Sequence, residues 1–127
     1  MHTIILIDAS LLEIMKMVVS RDGKNLMIVN GVPEYNISVW DLETQERLGE
    51  IELKTELSFL SVSFSPKDCS LVAVLYKECL ELCQMEPFFK FEKDVPKDYN
   101  RFEVREYKSK DNHTMLWSET NLIYLAS

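Results

Sequence analysis

Hydrophobic and polar residues alternate with a period of two along most of this chain, and the alternation breaks at short polar turns. Residues 14–19 (Ile-Met-Lys-Met-Val-Val) predict a strand. The stretch Ser20-Arg21-Asp22-Gly23-Lys24-Asn25 predicts the turn that ends it, with Asp22-Gly23 supplying a positive-φ position at low steric cost. Leu26 to Asn30 predicts a second strand. After the loop Gly31-Val32-Pro33-Glu34-Tyr35, residues Asn36 to Trp40 predict a third, with Ile37 and Val39 on one face and Ser38 and Trp40 on the other. Leu42 to Gln45 turns the chain, and Leu48, Ile51 and Leu53 mark a fourth strand. Four short strands joined by tight turns predict one antiparallel sheet over residues 14–53.

The pattern then restarts. Ser61 to Phe64, Leu71 to Leu75 and Leu80 to Cys83 repeat the order, with Ser65-Pro66-Lys67-Asp68 in the place of the first turn, so a second unit is expected over residues 60–91. Ser20 and Ser65 stand about 45 residues apart, the spacing of a repeat array. A further start appears at Met115-Leu116-Trp117-Ser118, followed by Leu122 to Leu125, and opens a third unit over 113–127. The interval between the second and third starts is longer because a charged insertion, 93–112, intervenes. The expected fold class is therefore all-β.

Composition narrows the possibilities. The chain has 127 residues, 46% of them hydrophobic, enough for a packed core. Its 14 basic and 21 acidic residues give a net charge of −7, the wrong sign for a surface that neutralises phosphates. Nucleic acid and anionic membrane are disfavoured as partners. No apolar run approaches the roughly 20 residues of a membrane helix. The stretch Ile4 to Ile7 lacks a basic leader and a cleavage site, so the expected location is cytoplasmic.

Little in the chain points to catalysis. There is no Gly-x-Ser-x-Gly elbow, no His-Glu-x-x-His motif and, with three glycines in all, no phosphate-binding glycine loop. The paired carboxylates Glu50/Glu52 and Asp41/Glu43 fall on a strand and a turn, where solvated side chains explain them. Cys69, Cys79 and Cys83 form no disulfide framework: on one strand Cys79 and Cys83 lie about 13 Å apart, beyond disulfide reach. With His2 and His113 they show no metal-ligand spacing. No enzyme, metal or cofactor is expected. The segment from Glu86 to Asn112 holds equal numbers of acidic and basic residues, so the net charge resides elsewhere. It reads as a solvated loop or extended hairpin. The alternative is a docking arm, because Phe88, Phe89, Phe91, Tyr99, Phe102 and Tyr107 interleave with charges such as Arg105, a mixture enriched at protein interfaces. Tyr99, Phe102, Arg105 and Tyr107 are the candidate partner-binding residues.

The run Ile37-Ser38-Val39-Trp40-Asp41, flanked by Ser20 to Lys24 and by Phe64-Ser65-Pro66-Lys67-Asp68, resembles a WD-repeat β-propeller blade. The loop and strand from Asn30 to Asp41 are similar to those of the cilia- and flagella-associated WD-repeat proteins. There a Gly-x-Pro-(Asp/Glu)-Tyr loop precedes the Val-Trp-Asp strand, and a Phe-(Ser/Asn)-Pro-x-Asp turn opens the next blade. The resemblance implies a partial propeller of two four-stranded blades and an incomplete third, with Asp22, Gly23, Glu34, Trp40, Asp41, Ser65, Pro66 and Asp68 as structural motif residues. It also implies a departure from the family. Glu34 stands where the blade network has Asp, no Gly-His pair exists, and in the second blade Cys83 takes the tryptophan position and Lys77 the acidic one. An incomplete network leaves blade stability to apolar packing, with Trp40 a structural residue. Closing a ring requires roughly four to eight blades, so the chain is expected to be a piece of a larger propeller or to need self-association. The functional expectation is a non-catalytic protein-interaction scaffold of the ciliary or flagellar axoneme or its assembly. The alternatives are a cytoplasmic WD-repeat adaptor of a complex unrelated to cilia, and a small enzyme of unrecognised type.

Overall fold

The computed structural model describes residues 14–92, 95–119 and 123–126. Among them every regular element is a strand: β1 (Ile14–Val19), β2 (Asn25–Asn30), β3 (Asn36–Asp41), β4 (Arg47–Glu52), β5 (Phe59–Phe64), β6 (Leu71–Tyr76), β7 (Cys79–Glu92), β8 (Val95–Lys108), β9 (Thr114–Trp117) and β10 (Ile123–Ala126). They form three antiparallel sheets, ordered β1-β2-β3-β4, β5-β6-β7-β8 and β10-β9, none of which closes into a barrel.

The turns follow from their polar residues. Ser20 N–H donates to Asn25 O at 2.8 Å, and Asp22 Oδ1 accepts from the Ser20 hydroxyl at 2.6 Å and from Lys24 N–H at 2.9 Å. Gly23 occupies the left-handed region at φ 75°, as its Asp-Gly context requires. At the matching place between β5 and β6, Ser65 Oγ accepts from the N–H groups of Lys67 and Asp68, both at 3.2 Å, while Asp68 Oδ1 accepts from Ser70. Asp41 Oδ1 likewise accepts from the N–H groups of Glu43 and Thr44 and closes the turn after β3.

The long charged segment is a strand. β8 pairs with β7 over its whole length, from Cys79 opposite Lys108 to Glu92 opposite Val95, and supplies the fourth strand of the second sheet. Of the two structures expected for this segment, the hairpin is the one that forms. Its charges suit its place: β8 is the sheet's edge, where charged side chains discourage pairing with other chains.

The sheets stack in a common sense. In the first sheet, Leu26, Ile28 and Trp40 occupy one face, and Met27, Val29, Ile37 and Val39 the other. That second face packs against Val62, Phe64, Val72, Val74, Tyr76 and Cys83 of the second sheet, whose opposite face carries Ala73, Leu75 and Leu80. Met115, Trp117 and Ile123 of the β9–β10 hairpin cover this last face. Strand register makes the relation explicit. Val19, Leu26 and Trp40 form a row across the first sheet, Phe64, Val72 and Cys83 the corresponding row across the second, and Trp117 with Ile123 its counterpart in the third. Equivalent rows point the same way, so each sheet repeats its predecessor rather than facing it as in a sandwich.

Candidate functional site

The first strand of each sheet, β1, β5 and β9, here called its inner strand, borders a groove. Among the described residues β1 pairs with β2, β5 with β6 and β9 with β10, and none of the three pairs with another of the sheets. These three strands and the turns after them line a cleft of about 820 Å3. Sequence dictates its character, because each inner strand is short, apolar and followed by a polar turn that begins with serine. Val18, Val19, Val62, Phe64 and Trp117 supply apolar surface, while Ser61, Ser63, Ser65 and Ser118 supply hydroxyls. The Trp117 indole N–H donates to Ser63 Oγ at 2.7 Å, tying the third sheet to the second across the groove. Among the described residues of its lining, Lys16, Arg21 and Lys67 stand with one acid, Glu119, in a chain whose net charge is −7. Among the described residues its lining holds no Cys, His or Tyr.

A second polar cluster joins the outer edges. The Lys54 backbone N–H donates to Tyr76 Oη at 3.0 Å, and Lys54 Nζ reaches Glu106 Oε2 at 2.8 Å. Nζ also lies 2.7 Å from Glu81 Oε2, as an ion pair whose angles fall outside those of a hydrogen bond. The Glu81 side chain is only 2% exposed. The two carboxylates, Glu106 foremost, hold the Lys54 ammonium above its ordinary range. Burial pushes the Tyr76 phenol up to about 12, even though its oxygen accepts a hydrogen bond. This is a structural clamp between the inter-sheet linker and β7–β8.

The thiols are poorly suited to nucleophilic chemistry. Cys79 and Cys83 are buried, on the inter-sheet face that their four-residue spacing predicts, and Cys69 is half-buried. Burial pushes all three thiols up, Cys83 to about 12, so each is protonated at neutral pH. Among the described residues no group of three or more His, Cys, Asp or Glu is arranged to hold a metal ion, and no helix is long and apolar enough to cross a membrane. No protein-family model matches this chain, and no curated protein matches it.

The residues singled out from sequence fall into three groups. Asp22, Gly23, Asp41, Ser65 and Asp68 build turns as described, and Pro66, with Ser65, lines the groove. Trp40 is 2% exposed; its Nε1 has no hydrogen-bond partner, and the Arg47 guanidinium lies 5.9 Å from its ring centroid. Glu34 is exposed in the loop before β3, away from any hydrogen bond to that indole. Of the candidate docking residues, Arg105 and Tyr107 are exposed on β8, whereas Phe102 is half-buried against the inter-sheet core. The Phe102 ring lies so close to Gly49 that a Cβ there would meet it at 2.7 Å. Tyr99 pairs with Phe88 along the hairpin, and its side chain lies outside the described residues. Sequence reasoning missed the groove. The available signal was the basic residue one or two places after each of the first two inner-strand serines, Arg21 after Ser20 and Lys67 after Ser65.

Proposed function

We propose that this chain is part of a WD-repeat β-propeller and serves as a non-catalytic protein-interaction scaffold of the ciliary or flagellar axoneme or of its assembly. The observation that carries the propeller reading is the same-sense stacking of the sheets, with the Val19-Leu26-Trp40 row matched by Phe64-Val72-Cys83. Repetition of a four-stranded antiparallel sheet in sequential order, each laid on the last with its inner strand open, is what a propeller blade does. The scaffold reading is supported by a groove rich in binding surface and by thiols that burial holds protonated. Placement in the axoneme rests on the resemblance of Asn30 to Asp41 to the ciliary WD-repeat proteins.

An antibody raised to residues 102–111, most of them exposed, tests the placement on isolated axonemes and on soluble extract of the same ciliated cells. Signal retained in axonemes after detergent and salt washing is expected. Signal confined to the soluble extract would overturn the ciliary placement and favour a cytoplasmic WD-repeat adaptor.

A further inference from the structure

We infer that copies of this chain associate head to tail, the far face of the β9–β10 hairpin in one copy covering Met17 and Val19 on β1 of the next. The inference deepens the propeller reading and rests on it, since it names a partner, a second copy. Its basis is an interface that the chain already contains. Met17 stands opposite Ile28 as Val62 stands opposite Val74, and Val19 opposite Leu26 as Phe64 opposite Val72, so the two β1 residues are the register equivalents of the two on β5. Val62 and Phe64 are 3% and 7% exposed, because the first sheet lies on them. Met17 and Val19 keep 56% and 55% of their surface in water. On the same face Leu26, Ile28 and Trp40 are buried, so what remains exposed is a stripe along β1, narrow enough for a two-stranded hairpin to cover.

The covering face is present at the other end of the stack. Met115, Trp117 and Ile123 pack on Ala73, Leu75 and Leu80, so they face the second sheet. Leu116 lies between two of them on β9, hence on the hairpin's far face, and is 69% exposed. It precedes Trp117 as Val18 precedes Val19, and Val18 packs against the core that buries Val62 and Phe64. The contact made inside the chain by the Val18 face is therefore open to the Leu116 face between copies. Two unlike apolar faces on one chain make that contact heterologous. A partner of other sequence would have to imitate one of the faces; a second copy carries both.

The test uses the full chain in size-exclusion chromatography with light scattering, over a concentration series up to about 0.1 mM. The mass of the parent should grow with concentration. Met17→Glu and Leu116→Glu, both at exposed positions, should each weaken association about tenfold or more, while far-UV circular dichroism of the dilute chain shows the parent's sheets. Mixing decides the kind of contact. A Met17→Glu chain retains Leu116 and a Leu116→Glu chain retains Met17, so an equal mixture keeps one sound contact per mixed pair and should regain association, seen as mixed pairs in native mass spectra. A parent that stays monomeric throughout the series, or association that either variant leaves unchanged, overturns the proposal. So does a mixture that stays dissociated, since like-on-like pairing of β1 would give that result. A monomeric parent that washed axonemes retain sinks the head-to-tail contact alone; an assembling parent confined to the soluble extract sinks only the ciliary placement.

Discussion

Trp40 offers the sharpest stability test, because two of its properties act with opposite sign. Its ring is 2% exposed and packs on Leu26 and Ile28, so Trp40→Ala deletes a buried bicycle and should destabilise the chain by about 3–5 kcal/mol. The same ring carries a buried N–H with no hydrogen-bond partner, a desolvation cost of about 1–3 kcal/mol in the native protein. Trp40→Phe removes that N–H along with part of the ring. The packing loss and the relief of desolvation should nearly cancel, leaving a change within about 1 kcal/mol. Attraction between the ring face and the Arg47 guanidinium persists, weakened, in the phenylalanine variant. Urea unfolding of the full chain followed by far-UV circular dichroism measures both variants against the parent, with equal m-values required for the comparison. A loss of about 3 kcal/mol or more in Trp40→Phe would refute the reasoning, since it would mean that the indole N–H makes a bond worth keeping.

Other consequences follow from the same geometry. Lys54→Met leaves the buried Glu81 carboxylate without its cation and should cost about 1–3 kcal/mol, below the usual figure for a buried pair because Lys54 is one-third exposed; adding Glu81→Gln should recover most of it, and an undiminished loss in the double variant would refute the clamp. Gly49→Ala drives a Cβ into the Phe102 ring and should cost about 1–3 kcal/mol, a penalty that a Phe102→Ala background should remove when both are measured by urea unfolding. The Ser20 hydroxyl holds the Asp22 carboxyl below its ordinary range, and the Lys54 ammonium does the same for Glu106. Folded values below the unfolded ones mean that the associated stability is present above about pH 4 and drains away as pH falls through the folded values. The urea midpoint should therefore decline below about pH 4, and less steeply in Asp22→Asn. Met17 and Val62 are equivalent by register, yet Met17 is 56% exposed and Val62 3%. Met17→Glu should change stability by no more than about 0.5 kcal/mol, whereas Val62→Glu should unfold the chain; equal effects in thermal melts would contradict the difference in burial between the two sites.

Most strands were legible because their apolar residues stand between polar turns, whether the strand is buried on both faces as β2 is or largely exposed as β1 is. β1 spans the six residues that the pattern marks, β3 extends the expected strand by Asp41 alone, and β2 extends it by Asn25, whose N–H is taken by Ser20 Oγ. β8 was less plain because period-two patterning reports burial rather than pairing. On an edge strand Glu103, Arg105 and Lys108 remain exposed, and the segment looks like solvated loop although it pairs with β7 along its whole length. Phe102 was read as available for docking for the same reason: its neighbours are charged, and only the absence of a side chain at Gly49, far away in sequence, lets its ring reach the inter-sheet core. The groove stayed hidden because its cations, Lys16, Arg21 and Lys67, belong to different repeats and are brought together only by stacking.

The sense of that stacking decides what the exposed apolar side chains mean. Val62 and Phe64 are buried because the second face of the first sheet lies on them, and their register equivalents Met17 and Val19 present the same face of the first sheet at 56% and 55% exposure. At the other end Leu116, on the outer side of the hairpin, is 69% exposed. The two ends are unlike: one offers the face that receives a preceding sheet, the other the face that a following sheet covers. A stack of this kind grows only head to tail, by the contact already made between its first and second sheets, and a two-fold pairing of like faces would break the register that puts equivalent rows on equivalent sides. Head-to-tail growth with a constant rotation per sheet gives a ring where the rotation closes and an open stack where it does not, and in either case the first strands of successive sheets lie on one side. The groove and the apolar ends are thus consequences of one geometric rule, and the rule follows from the repeated inner-strand, serine-turn, second-strand order in the sequence.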